Sequence, residues 1–178
     1  MLFRSDATAY RNRGIAWRRK GDLDRAIADY DAAIRLDPND ADGYDNRAIA
    51  WSAKGDLDRA IADYNRTIGL APKYAPAYAG RAVAWRRKGD LDRAIADDDQ
   101  AIGLEPANAY AYFNRGMAWA AKSNLARAIA DYSRTIELKP NDAAAYYNRG
   151  LAKQRRGDIS DGDADVATAR KLNPGIGR

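Results

Sequence analysis

A chain of 178 residues, of which 46% are hydrophobic, is long and apolar enough to form a folded core. It contains neither cysteine nor histidine, which excludes disulfides, thiolate and imidazole metal ligands, and nucleophile–histidine pairs. The net charge of +5 is carried mostly by arginines that recur along the chain, so it characterises the whole surface and does not indicate a basic tail.

A ten-residue segment that starts at Gly21 recurs unchanged at Gly55, 34 residues later. Further copies start at Gly89, Ser123 and Gly157, with increasing divergence. Five prolines keep the same spacing: Pro38, Pro72, Pro106, Pro140 and Pro174. Each period has one helical stretch before the glycine-aspartate turn and a second that ends at the proline, which cannot continue a helix. The sequence therefore predicts five helical hairpins, over residues 7–40, 41–74, 75–108, 109–142 and 143–174.

The second helix of most repeats has an aspartate at its expected start: Asp22, Asp56, Asp90 and Asp158. These are favoured N-cap residues because their carboxylates accept hydrogen bonds from the first free backbone N–H groups. Helices of about 14 residues are marginal alone, so the hairpins must be stabilised by stacking on their neighbours. The predicted fold is all-α, an array of antiparallel helix pairs, with a short extension over residues 1–6 and a tail over 175–178.

Aromatic and small residues recur at fixed positions of the repeat. Position 4 holds Tyr10, Tyr44, Tyr78, Tyr112 and Tyr146, and position 20 holds Ala26, Ala60, Ala94 and Ala128. With these residues the chain resembles the tetratricopeptide repeat family over nearly its whole length. The resemblance implies a right-handed α-solenoid whose first helices line a concave groove, and a role in holding an extended segment of a partner protein.

Position 6, which lines the groove in this family, holds four asparagines: Asn12, Asn46, Asn114 and Asn148. Gly80 interrupts the series in the middle repeat. An amide both donates and accepts hydrogen bonds, so the resemblance implies contacts with a peptide backbone; the alternative is that asparagine is simply common at this position. Each net hydrogen bond contributes roughly 0.5–1.5 kcal/mol, whereas association costs on the order of 4–15 kcal/mol, so apolar anchors are also required.

Candidate apolar anchors occupy groove positions 2, 5 and 9 and cluster in repeats three to five: Val83, Tyr110, Phe113, Met117, Tyr147 and Leu151. An exposed cluster of aromatic, aliphatic and methionine side chains is typical of a peptide-binding surface. The alternative is that several of these side chains pack against the adjacent helix and do not reach solvent.

Candidate basic groove residues are Arg11, Arg18, Arg19, Arg86, Arg87 and Arg155. They could attract an acidic ligand. Most of them lie in the last turn of a helix, where a cation also opposes the helix dipole without any ligand. The pattern of tetratricopeptide domains that hold chaperone C-termini fails here, since Ile15, Pro76 and Gly80 stand where its polar residues are needed. Interspersed acidic residues and the lack of a nucleic-acid motif do not favour a nucleic-acid partner.

Arginine at position 7 and aspartate at position 23 occur in all five repeats. The arginines are Arg13, Arg47, Arg81, Arg115 and Arg149, and the aspartates are Asp29, Asp63, Asp97, Asp131 and Asp165. Both positions lie equally far from the turn of the hairpin, so we expect a ladder of structural ion pairs with no role in ligand binding.

Asp161, Asp163 and Asp165 alternate like the start of a calcium loop, but Val166 and Leu172 stand where that loop needs glycine and glutamate. We therefore expect no metal site, no cofactor and no enzyme activity, because every carboxylate has a structural explanation and no nucleophile with a base can be named.

The polar fifth repeat is expected to act as a terminal cap, and Asp98, which replaces the aromatic of position 24, is expected to weaken the third hairpin. No run of about 18 apolar residues exists for a membrane span and six residues are too few for a signal peptide, so we expect a cytoplasmic protein. The expected function is a protein-binding module or scaffold that holds a partner peptide in its groove. The alternative is a homo-oligomer assembled through stacking of the ends of the array.

Overall fold

The computed structural model describes the backbone of residues 2–177 and the side chains of residues 6–177. Within these residues the chain is entirely helical and confirms the predicted helix pairs. The ten helices are α1 (Leu2–Arg19), α2 (Leu23–Leu36), α3 (Ala41–Lys54), α4 (Leu57–Leu70), α5 (Ala75–Arg87), α6 (Leu91–Leu104), α7 (Ala109–Ala121), α8 (Leu125–Leu138), α9 (Ala143–Arg156) and α10 (Ile159–Leu172). We call the odd-numbered helices the A helices and the even-numbered helices the B helices.

The B helices begin at side-chain caps, as predicted for the first three repeats. The carboxylates of Asp22, Asp56 and Asp90 each accept a hydrogen bond from the backbone N–H three residues on, at 3.0–3.1 Å. Asn124 takes this role in the fourth repeat, where it accepts from Arg127 N–H at 3.2 Å. The prediction for Asp158 is only half right: it is the N-cap residue of α10, but its side chain makes no capping hydrogen bond and pairs with Arg156 instead.

The turn inside each hairpin contains one residue with a left-handed backbone. Glycine, which adopts this conformation without a steric cost, is used in four repeats, as at Gly55 with φ +88°. In the fourth repeat Ser123 takes the same conformation with φ +60°. The turn geometry is therefore kept where its favoured residue is lost.

In the first and fourth repeats, glycine at position 8 allows the A helix to approach the aromatic ring of its partner helix. A Cβ atom on Gly14 would lie 2.6 Å from Cε1 of Tyr30, and one on Gly116 would lie 2.8 Å from Cε1 of Tyr132. Both tyrosine side chains are fully buried. The core is thus built from glycine and alanine against a few large aromatic rings, at a packing density that leaves no room for an added methyl group.

The chain divides after Lys88 into two compact units, the first with α1–α5 and the second with α6–α10. Within each unit, neighbouring A helices touch: α1 with α3, α3 with α5, and α7 with α9. Among the described residues of each unit, neighbouring B helices do not touch one another. The A helices therefore lie on the inner side of the curvature of each unit, and their outward-facing surface there is called the inner face below.

The predicted ion-pair ladder is confirmed in four repeats. Each arginine donates from both Nε and Nη2 to the two oxygens of one buried aspartate, at 2.6–2.9 Å. The pairs are Arg13 with Asp29, Arg47 with Asp63, Arg115 with Asp131 and Arg149 with Asp165. Arg81 lies in the first unit and Asp97 in the second, and their pairing stays a prediction.

In the repeats after the first, the remaining guanidinium nitrogen of the position-7 arginine reaches the preceding repeat, a contact that sequence analysis missed. Arg47 Nη1 donates to Asp31 and Arg115 Nη1 donates to Asp99, both at 2.6 Å. Arg81 donates to the side chain of Asn65 at 2.6 Å. One side chain therefore joins the two helices of its own hairpin and also binds the previous B helix.

Candidate functional site

Positions 2, 5, 6, 9, 12 and 13 of an A helix share one side of the helix because of the 3.6-residue period. This side forms the inner face of each unit and contains the sequence-predicted binding residues. The inner face of the first unit is formed by α1, α3 and α5, and that of the second unit by α7 and α9.

The predicted asparagines fall into three environments. Asn12 is exposed on α1. Asn46 and Asn148 are half-buried, and each donates from Nδ2 to the backbone carbonyl four residues earlier, Asp42 and Ala144 respectively, at 2.8 Å. These bonds fix the orientation of the amide and leave its oxygen and its second N–H to a ligand.

Asn114 does not fit the predicted role. Its exposed fraction is only 4%, and its Nδ2 atom is buried without a hydrogen-bond partner among the described residues. A peptide lying on the inner face would not reach this amide, so we do not expect Asn114 to bind a peptide backbone. Sequence could not separate it from the other asparagines because its burial depends on the side chains around it.

The predicted apolar anchors also divide. Tyr110 is 53% exposed and Leu151 is 37% exposed, and both lie on the inner face of the second unit. Tyr147 is half-buried on the same face, with Gly177 of the tail against its ring. Val83 is half-buried on α5, in the first unit. We call Tyr110, Tyr147 and Leu151 the apolar patch.

Phe113 and Met117 belong to the core more than to the surface. Both pack against a buried cluster that contains Ala128, Tyr132 and Ala152. The ring centroids of Phe113 and Tyr132 lie 5.7 Å apart at an angle of 53°. For these two residues the structure supports the alternative interpretation, packing against the adjacent helices.

Two of the six predicted basic residues have hydrogen-bond partners within the protein. Arg11 donates to both oxygens of Asp40 at 2.6–2.7 Å, and Arg87 donates to the carbonyl of Ser52 at 2.6 Å. Arg18 and Arg86 are half-buried. Arg19, Arg87 and Arg155 are exposed, and among the described residues Arg19 and Arg155 make no hydrogen bond, so the free basic character of this face is narrower than predicted.

Sequence analysis missed a buried acid on the inner face of the first unit. Asp45, at position 5 of the second repeat, is 7% exposed and makes no hydrogen bond among the described residues. Burial and the nearby Asp42 raise the pKa of Asp45 to about 6, although Arg18 acts in the opposite direction. The available signal was a carboxylate at a position that holds Phe113 and Tyr147 in other repeats.

The alternating aspartates of the last helix bind neighbouring side chains. Asp165 pairs with Arg149 at 2.7 Å and with Lys153 at 2.9 Å, and Asp163 accepts from Gln154 at 2.7 Å. No group of three potential metal ligands occurs in the part of the chain that the structure describes. None of the described helices combines the length and apolarity that a membrane span requires, and the expected cytoplasmic location stays a prediction.

Family models of the tetratricopeptide repeat match residues 7–40, 46–104 and 118–157. Together with the repeating helix pairs, these matches show that the chain belongs to the tetratricopeptide repeat family. No curated protein matches the chain. The fold is that of a protein-interaction module, a class whose members are typically non-catalytic.

Solved structures with the same fold include a MamA protein, 27% identical to this chain with a TM-score of 0.82, covering 95% of this chain and 92% of that one. YrrB, described as a tetratricopeptide protein with an unusual peptide-binding site, is 21% identical with a TM-score of 0.75, over 96% and 88% of the two chains. PilF of Pseudomonas aeruginosa is 14% identical with a TM-score of 0.88, over 97% and 79%. At these identities YrrB and PilF support the fold alone.

Proposed function

We propose that the inner face holds an extended segment of a partner protein and that the protein acts as a non-catalytic scaffold. The observation that carries the proposal is the apolar patch: Tyr110 and Leu151 expose large apolar side chains on the inner face that also holds the oriented amide of Asn148. The peptide-binding site ascribed to YrrB, which has the same fold, is consistent with this use of the helices.

The apolar patch supplies most of the expected binding free energy. Burying apolar surface contributes roughly 25 cal/mol per Å², and one tyrosine side chain buries about 150–250 Å². In the same unit the amide of Asn148 adds roughly 0.5–1.5 kcal/mol for each hydrogen bond to the peptide backbone, and Asn12 and Asn46 offer the same contact on the inner face of the first unit. The patch therefore selects side chains, while the asparagines bind main chain of any sequence.

The free charges favour a partner segment with acidic residues. Arg19 and Arg155 are exposed at the ends of α1 and α9, whereas Arg11 and Arg87 already have partners. Among the described residues, one such arginine on the inner face of each unit is too few for a phosphate backbone, whose recognition requires many neutralising contacts. A protein segment is therefore favoured over a nucleic acid.

The proposal is tested by selecting a displayed random-peptide library on the purified protein and on matched variants. One variant carries Tyr110→Ser with Leu151→Ser, and a second carries Asn12→Ala, Asn46→Ala and Asn148→Ala. The control is Leu104→Ser, because Leu104 on the B helix α6 is 37% exposed, like Leu151. The expected result is a peptide motif enriched on the parent and the control but lost on the first variant. Equal enrichment on all of them would place binding elsewhere and overturn the proposal.

A second candidate is self-assembly through the end of the second unit. Ile159 is 55% exposed, whereas Leu23, Leu57 and Leu125, at the same position of other repeats, are half-buried. Sedimentation over a range of concentrations tests this candidate: association that Ile159→Ser abolishes would support it, and a monomer at every concentration would rule it out.

A further inference from the structure

At one end of the first unit, α1 and α2 form a surface that shares no residue with the proposed binding residues of the inner face. A cavity of about 420 Å³ there is lined by Asp6, Ala9, Tyr10, Arg13 and Leu36. We call this surface, together with Lys20, the α1 end face. The role of this surface can be inferred from the B helices that cover the same repeat positions elsewhere in the protein.

In the second repeat, the A helix α3 is covered by the preceding B helix α2 through three contacts. Lys54 pairs with Asp24, and Arg47 Nη1 donates to Asp31 at 2.6 Å. At the third point Ile34 packs on Gly43, where a Cβ atom would lie 3.2 Å from its Cγ1. The helices are antiparallel, since the start of α2 meets the end of α3.

The same contacts recur between other neighbouring helices. Lys88 pairs with Asp58 and Lys122 pairs with Asp92, repeating the first contact. Arg115 donates to Asp99 at 2.6 Å, repeating the second. Two covering helices, α2 and α6, therefore present carboxylates at positions i and i+7 and an aliphatic residue at i+10, as Asp92, Asp99 and Ile102 do on α6. At i+7 the other two covering helices, α4 and α8, present the neutral acceptors Asn65 and Ser133.

Helix α1 carries the same receiving residues in the same register, but they are uncovered. The side chain of Arg13 is 59% exposed, compared with 17–21% for Arg47, Arg115 and Arg149. Among the described residues, Arg13 donates hydrogen bonds only to Asp29, so its Nη1 has no acceptor.

The other two contact points of α1 are also open. Lys20 stacks on Trp17 at 5.4 Å and pairs with no carboxylate in the described part of the chain. Ala9 is exposed, whereas Gly43, Ala77, Ala111 and Ala145, its equivalents, are all buried. Tyr10 adds an exposed ring beside the cavity.

We propose that the α1 end face docks an α-helix of a partner protein, antiparallel to α1, with carboxylates at i and i+7 and an aliphatic side chain at i+10. The carboxylate at i pairs with Lys20, the carboxylate at i+7 accepts from Arg13 Nη1, and the aliphatic side chain lies on Ala9. This helix-docking site shares no residue with the proposed binding site for an extended segment on the inner face.

A second copy of this chain is a poor occupant. The last B helix, α10, has Ser160, Ala167 and Arg170 at the three contact positions, so it offers no carboxylate and places a cation near Arg13. The B helices that do carry the pattern, such as α2, already use it to cover an A helix. None of the helices α1–α10 is therefore a suitable occupant, and we assign the complementary helix to a partner protein.

The test uses the full chain and two helix-stapled peptides, labelled for fluorescence anisotropy. The probe has the sequence of residues 22–37 of this protein, which carries Asp24, Asp31 and Ile34 in the required register. The control has the sequence of residues 158–173, which lacks all three. Exposed ion pairs contribute about 0.2–1 kcal/mol each, so we expect the probe to bind roughly 3- to 10-fold more tightly than the control.

Two variants locate the site. Ala9→Arg places a bulky side chain on an exposed position and should abolish probe binding, whereas Leu172→Arg, on α10, should leave it unchanged. Lys20→Glu should weaken binding of the probe about 2- to 5-fold. A probe with Asp24→Lys should bind the Lys20→Glu protein with the original affinity. Equal binding of probe and control, no binding at all, no effect of Ala9→Arg, or no recovery by the reversed pair would each overturn the proposal.

Discussion

At the scale of single residues, the arginine of position 7 explains most of the polar order in the structure. Arg47 lies 16 residues after Asp31 and 16 residues before Asp63, and it binds both carboxylates. These hydrogen bonds, chiefly those with Asp63, raise the pKa of Arg47 above its usual value. The side chain thus stabilises its own hairpin and the contact with the previous repeat.

Removing Arg47 should therefore be costly. Arg47→Ala leaves Asp63, a buried carboxylate, without its partner, and we expect the free energy of unfolding to fall by about 2–3 kcal/mol. The control is Lys54→Ala, which breaks an exposed ion pair with Asp24 and should cost less than about 1 kcal/mol. Urea denaturation at pH 7 measures both, and similar small losses for the two variants would contradict the structural role of the ladder.

The buried acid on the inner face gives a prediction of pH dependence. The pKa of Asp45 rises from 3.8 to about 6 on folding, so between these values the folded state binds more protons than the unfolded state. Asp45 therefore lowers the free energy of unfolding as pH increases from about 4 to 6, by at most about 3 kcal/mol. Asp45→Asn should match the parent near pH 4 and be more stable above pH 6.

Denaturation of the parent and of Asp45→Asn across this pH range measures the difference directly, and the exposed Asp24→Asn serves as the control. A constant difference between Asp45→Asn and the parent from pH 4 to 7 would show that Asp45 does not titrate as described.

Some contacts of single residues were predictable from the sequence, and others were not. The pair of Arg47 with Asp63 was predictable because both residues are equally distant from one turn. The contact with Asp31 was missed because it depends on how one hairpin packs on the next. Asn114 and Asn148 occupy the same repeat position, yet only their neighbours decide that one is buried and the other half-exposed.

At the scale of elements, the helix pattern was predictable because capping, glycine turns and prolines all recur with one period. Ala41, Ala75, Ala109 and Ala143 are the first residues of four A helices, at the predicted positions. The first helix differs, since α1 begins at Leu2 and the short N-terminal extension continues the helix. No turn residue separates that extension from Ala7, which is why the helix does not stop there.

The turn between α7 and α8 offers a simple test at this scale. Ser123 has the left-handed backbone that glycine adopts in the other repeats, a conformation that costs an ordinary residue about 1 kcal/mol. Ser123→Gly should therefore raise the free energy of unfolding by about 0.5–1 kcal/mol, and Gly55→Ser should lower it by a similar amount. Thermal denaturation checks both, and a destabilised Ser123→Gly would contradict the assigned turn.

Across the whole molecule, repetition explains both the stability of the fold and the position of the proposed binding surface. Each hairpin contributes an A helix to the inner face of its unit, and the departures from the repeat decide what that face can bind. The predicted anchors that remain exposed, Tyr110 and Leu151, were recognisable from their helix positions. The sequence could not show that Phe113 and Met117 are core residues, because they occupy the same helix positions as Tyr147 and Leu151.

The most direct test of the binding function is the affinity of a peptide selected on the parent protein, measured by titration calorimetry. We expect Tyr110→Ser with Leu151→Ser to weaken binding of the peptide at least about 10-fold, since more than about 1.4 kcal/mol of apolar burial is lost. Leu104→Ser should leave the affinity within about twofold, because this leucine lies on a B helix. Unchanged binding by the first variant, or an equal loss in both, would contradict a binding surface on the inner face.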